Sequence, residues 1–121
     1  MCEKRLLVEV LFAPGCCCAE PAIRTVRDVL GQEACPAALL LRLIPDRESA
    51  IRHRFPGSPT VRVDGVDVEG PHAQDAGYGV DRCRIYAPHG ECPGVPSPEL
   101  VRRALYVHPA KRRPLTGPER G

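Results

Sequence analysis

Gly57-Ser58-Pro59-Thr60-Val61-Arg62-Val63-Asp64-Gly65-Val66-Asp67-Val68 is the stretch from which the fold is read. Val61 and Val63 alternate with Thr60 and Arg62, and Val66-Asp67-Val68 alternates again, as half-buried strands do. Between them Asp64-Gly65 is a strong two-residue hairpin turn, because its favoured form needs positive φ at both positions. Phe55-Pro56-Gly57-Ser58-Pro59 leads directly into this hairpin.

Upstream, residues 5–12 form a short apolar run that reads as a buried strand and ends at Ala13-Pro14-Gly15. Cys16-Cys17-Cys18 follows, and Glu20-Pro21 opens a helix, since proline suits the first turn. Ala22, Ile23, Val26, Val29 and Leu30 recur at helical spacing, opposite Arg24, Arg27 and Asp28, with Gly31 read as the C-terminal cap. Residues 38–44 are a second buried run closed by Pro45. Composition allows helix or strand there; its length and its place between two helical segments favour a strand. Asp46 is the cap of a short helix to about Arg54, with Ala50 and Ile51 facing inward.

Downstream of the hairpin, residues 70–94 are loop-rich. Ser97-Pro98-Glu99 opens a last helix through about Val107, with Leu100, Val101, Ala104 and Leu105 on its apolar face. Residues 109–121 are polar and proline-rich, the composition of a disordered tail, so residues 1–108 make the domain. The order strand, helix, strand, helix, hairpin, helix gives an α/β fold with a four-stranded mixed sheet and flanking helices.

Composition narrows the function. A chain of 121 residues fits one domain, and with no Trp its core must come from Val, Leu, Ile and Ala. A net charge of +2 argues against nucleic acid and anionic membrane as partners. Nothing approaches the roughly 20 apolar residues of a membrane span, and no secretory leader is visible, which together suggest a cytoplasmic protein. Seven cysteines in a reducing compartment point to catalysis, metal or inert burial before a disulfide scaffold.

In this architecture the loop after the first strand and the start of the next helix carry the chemistry. Unpaired N–H groups and the positive end of the helix dipole favour thiolate there. Cys16, Cys17 and Cys18 occupy that loop.

Three segments also carry a resemblance: Pro14-Gly15-Cys16 with Glu20-Pro21-Ala22, Gly57 to Gly65 with Asp67-Val68-Glu69, and Tyr78-Gly79-Val80 with Cys83-Arg84-Ile85-Tyr86. They resemble a group of small bacterial thioredoxin-like proteins, some of which carry labels such as "thioredoxin family protein" or "alkylmercury lyase". The likeness runs from Leu6 to about Leu105. It implies a thioredoxin-like fold in which Pro59 is cis and faces the cysteine loop. It also implies Cys83 as a remote partner of Cys16. The departure is at the third residue after Cys16, where an ordinary dithiol oxidoreductase has a second cysteine and this chain has Ala19.

Three functions stay open at this point. In the first, Cys16 is the nucleophile of thiol–disulfide exchange with protein or small-molecule partners, released by glutathione or another thiol. Cys18 or Cys83 then serves as second thiol, and Ser58, Pro59 and Thr60 form a substrate-docking edge for strand addition. In the second, Cys16, Cys17 and Cys18 bind a soft metal or metalloid such as copper, mercury or arsenic. In the third, the chain is a non-catalytic adaptor. Cys83 is alternatively a small buried hydrophobe. Cys92 reads as a loop thiol, its pairing with Cys83 across residues 84–91 not favoured, and Cys2 and Cys35 read as incidental. Glu20 is a candidate proton acceptor or a helix-end carboxylate, and Glu69 reads as solvated. The four histidines share no ligand spacing, and Lys111-Arg112-Arg113 is a solubilising run.

Overall fold

The computed structural model describes residues 5–34, 36–90 and 93–106. Strand β1 (Leu6–Phe12) lies inside the sheet: β2 (Ala37–Leu43) pairs with it in parallel, from Leu6 opposite Ala37 to Phe12 opposite Leu43. On its other side β3 (Thr60–Val63) runs antiparallel, with Val8 opposite Val63 and Leu11 opposite Thr60. The short β4 (Val66–Asp67) completes the order β2-β1-β3-β4. The hairpin turn has φ of 51° at Asp64 and 85° at Gly65, the positive pair that an Asp-Gly turn supplies at low cost. The Asp64 carboxylate accepts from the Leu7 N–H at 2.8 Å, tying the turn to β1.

Alternation along β1 divides the core. Leu6, Val8 and Val10 face Val26 and Val29 of α1 (Ala19–Glu33) and Leu100, Val101 and Leu105 of α3 (Pro98–Leu105). On the opposite face Leu11 packs with Ala13, Ile44, Phe55 and Ala50 of the six-residue helix α2 (Arg47–Arg52). Both shorter helices are capped as the sequence suggests. Asp46 accepts from the Ser49 N–H at 2.9 Å and Ser97 from the Leu100 N–H at 3.0 Å.

Several expectations need correction. Helix α1 does not stop at Gly31; it runs to Glu33 and ends on Ala34 at φ 55°. The extra turn is held by α3, where Arg102 donates to Glu33 at 2.9 Å and the Tyr106 hydroxyl at 2.7 Å. Residues 38–44 are not a buried run: β2 pairs only with β1 in the sheet, so Leu40, Leu41 and Leu43 are exposed and only Ile44 is fully buried. Helix α2 ends at Arg52, and Ile51 is 52% exposed while its neighbour Ala50 is buried. Ala50 packs against Leu11 and Phe55, and Ile51, about 100° further around the helix, falls outside that contact. Val107 and residues 109–121 lie outside the described residues, as do Cys2, Cys35, Cys92 and His108.

Candidate functional site

The carboxyl end of β1 turns sharply before α1. Gly15 takes φ 74°, and the Cys16 N–H closes the turn on the Ala13 carbonyl at 3.2 Å. The Ala19 N–H then donates to Cys16 O, and the Ala22 N–H makes the first helical bond to Cys18 O at 3.1 Å. Cys18 is thus the N-cap of α1, although its side chain makes no capping bond. Pro21 stands in the first turn, where its missing N–H leaves no donor unpaired. Three thiols therefore crowd the positive end of a 15-residue helix.

The second wall comes from the loop before β3. The Ser58–Pro59 peptide is cis. Ser58 Oγ accepts from the Ala13 N–H at 3.0 Å, which pins this loop to the cysteine loop. Pro59 is buried, and it is Ser58 that lines the cavity beside the cysteines. Thr60 is wholly buried, its hydroxyl donating to the Gly57 carbonyl at 2.6 Å, so it shapes the loop without being open to a ligand.

The third wall was not legible as such. Cys83 stands opposite Ser58 in a parallel bridge: the Ser58 N–H donates to Arg82 O at 2.9 Å, and the Arg84 N–H to Ser58 O at 3.0 Å. The edge expected to receive a substrate segment is therefore occupied by the chain itself. Cys83 is exposed, not a buried hydrophobe. Its neighbours Arg84 and Tyr86 point inward while Ile85 is 76% exposed, a strand-like alternation.

Arg84 anchors this segment. Its guanidinium takes both oxygens of Asp67 at 2.8 and 3.1 Å, Glu69 at 2.8 Å and the Thr60 hydroxyl at 3.0 Å, and lies 4.5 Å from the Tyr86 ring centre. Burial alone would lower its pKa. The hydrogen bonds to Asp67 and Glu69 outweigh that and raise it, so Arg84 stays cationic. Burial pushes the Tyr86 hydroxyl up, and it donates to Pro59 O at 2.6 Å. Glu69 is thus ion-paired, not merely solvated. The signal in the sequence was the pair of two-residue spacings, Asp67/Glu69 and Arg84/Tyr86, each bringing both members to one face of an extended segment.

Cys16, Cys17, Cys18 and Cys83 all line one cavity of about 230 Å3, together with Ser58, Arg82 and Gly94. None of the four is in a disulfide. Cys17 Sγ and Cys18 Sγ are 4.0 Å apart, and Cys18 Sγ lies so close to Gly94 that a methyl group there would stand 2.7 Å from it. Cys16 also borders a second recess of about 330 Å3, walled by Phe12, Ile23 and Leu43 with Glu20 at its edge. Among the described residues no three His, Cys, Asp or Glu side chains are grouped to hold one metal ion, and no helix is long and apolar enough to cross a membrane. Comparison with protein-family models, with curated proteins and with solved structures finds no match to this chain.

Proposed function

We propose that the chain is a thioredoxin-like thiol–disulfide exchange protein in which Cys16 is the nucleophile and Cys83 the second thiol. The observation that carries this is the convergence of four thiols on one cavity at the N-terminus of α1. Cys16 borders both recesses, so an incoming disulfide reaches it from either side. The strand order β2-β1-β3-β4 supports the thioredoxin-like reading of the fold. Thiols in this number suit a reducing compartment such as the cytoplasm.

Cys16 attacks one sulfur of a disulfide, the sulfur–sulfur bond breaks, and one thiolate leaves as a mixed disulfide forms. Cys83 then attacks Cys16 Sγ and releases the second thiol. The test is Cys16→Ser against Cys17→Ser in exchange with a chromogenic disulfide. Loss in the first and retention in the second supports the assignment; equal loss in both refutes Cys16 as the nucleophile.

One distance favours a second reading. Thiolate–metal bonds of about 2.3 Å let sulfurs roughly 4 Å apart share a soft ion, and Cys17 and Cys18 have that separation. Titration with Cu(I) or Hg(II), reading loss of free thiol, separates the two: one ion bound through Cys17 and Cys18 with Cys16→Ser unaffected favours metal capture.

A further inference from the structure

We propose that the substrates of this site are low-molecular-weight disulfides and not extended polypeptides, because the chain's own residues 82–84 fill the backbone edge beside Pro59. The inference rests on the thiol-exchange function proposed above.

A polypeptide binds an exposed strand edge by exchanging main-chain N–H and C=O bonds with it. At Ser58 both groups are already spent, the N–H on Arg82 O and the carbonyl on the Arg84 N–H. Displacing that segment means more than breaking these bonds. Arg84 would have to leave Asp67 and Glu69, with the Asp67 side chain 0% exposed. It would also lift away from Thr60 and the Tyr86 ring. A buried carboxylate stripped of a bidentate guanidinium partner is strongly unfavourable. Segment 82–84 is therefore a fixed wall that brings Cys83 to the cavity in place of a partner's cysteine.

What remains open is shaped for something small. Cys16 stands between a recess of about 230 Å3 and one of about 330 Å3. A symmetrical small disulfide has two compact halves joined at the reacting sulfurs, and places one half on each side of Cys16. The first step forms Cys16–S–S–R and expels R–S⁻, which takes up the proton Cys16 gave up on ionising. In the second, Cys83 attacks Cys16 Sγ, the Cys16–S–S–R bond breaks, and the second R–S⁻ leaves and is protonated. The substrate gains two electrons as two thiols, and the protein loses two as the Cys16–Cys83 disulfide. Multiple turnover then draws on an added dithiol.

The test uses the full chain, reduced and freed of reductant, mixed with oxidised glutathione or with insulin. Mass spectrometry follows Cys16 modification, and each rate is divided by that of N-acetylcysteine with the same disulfide. The expected result is a normalised rate at least roughly tenfold higher for oxidised glutathione. Insulin reacting as fast or faster overturns the substrate class while leaving exchange intact. Reaction with neither overturns the exchange function and this inference with it. The Arg84→Met variant, if folded, is expected to narrow the preference by loosening the wall.

Discussion

Cys83 lies directly opposite Ser58, bracketed by hydrogen bonds of 2.9 and 3.0 Å from the Ser58 peptide to the residues on either side of it. Ser58 is in turn bonded through its hydroxyl to Ala13, three residues before Cys16. Two backbone hydrogen bonds and one to a hydroxyl therefore relate the remote thiol to the cysteine loop.

Arg84→Met removes the bidentate guanidinium partner of Asp67, whose side chain is 0% exposed. Breaking a buried pair from one side typically costs about 3–5 kcal/mol. Urea unfolding is expected to show a loss of this size, and adding Asp67→Leu to recover part of it. No change in midpoint for Arg84→Met would mean that the cluster does not hold residues 82–84 in place.

Ser58→Ala removes the acceptor for the buried Ala13 N–H. Leaving such a donor unpaired costs about 1–3 kcal/mol, and the cysteine loop loses its tie to the loop before β3. Stability and the rate of exchange at Cys16 are expected to fall together. A stability loss with an unchanged rate would separate the loop's anchoring from the chemistry.

Gly94→Ala places a methyl group 2.7 Å from Cys18 Sγ and 3.3 Å from Cys18 Cβ. The sulfur must rotate away, at a cost on the order of 1 kcal/mol for a small overpacking. Iodoacetamide labelling of Cys18 is expected to quicken, with Cys17 unchanged. The combination with Cys18→Ala is expected to restore the stability that Gly94→Ala loses relative to Cys18→Ala alone.

The α1–α3 tether gives a pH dependence. The Tyr106 hydroxyl, and then Arg102, holds the Glu33 carboxyl below its ordinary value of 4.5. A depressed carboxylate contributes stability that is fully present above the unfolded value and is lost as pH falls through the folded one. The wild-type advantage in thermal midpoint over Glu33→Gln is therefore expected near neutral pH and to vanish in acid below pH 4.5. An advantage that grows on acidification would contradict the tether.

Much of this fold was legible because its signals are local. The Asp64-Gly65 turn, the Asp46 and Ser97 caps, and the alternation of Val61 and Val63 each depend on a few adjacent residues. What failed depended on neighbours distant in the chain. Residues 38–44 read as buried because an edge strand and an inner strand can share one composition; pairing on only one side decides exposure. Gly31 read as a cap because Arg102 and Tyr106, which extend α1, lie some 70 residues away. At the site, the cysteine loop was visible from the helix start behind it. The anchoring of Cys83 was not, because Arg84 finds Asp67 and Glu69 only once β4 and residues 82–86 come together.

The most direct measurement is a disulfide map of the full chain after one equivalent of oxidised glutathione is added to the reduced protein. Remaining thiols are blocked and the peptides analysed by mass spectrometry. The expected product is a Cys16–Cys83 link preceded by glutathione on Cys16, with glutathione persisting on Cys16 in Cys83→Ser. Glutathione on Cys17 or Cys18 with Cys16 unmodified, or a wild-type product that never involves Cys83, would contradict the assignment of these two thiols to one exchange site.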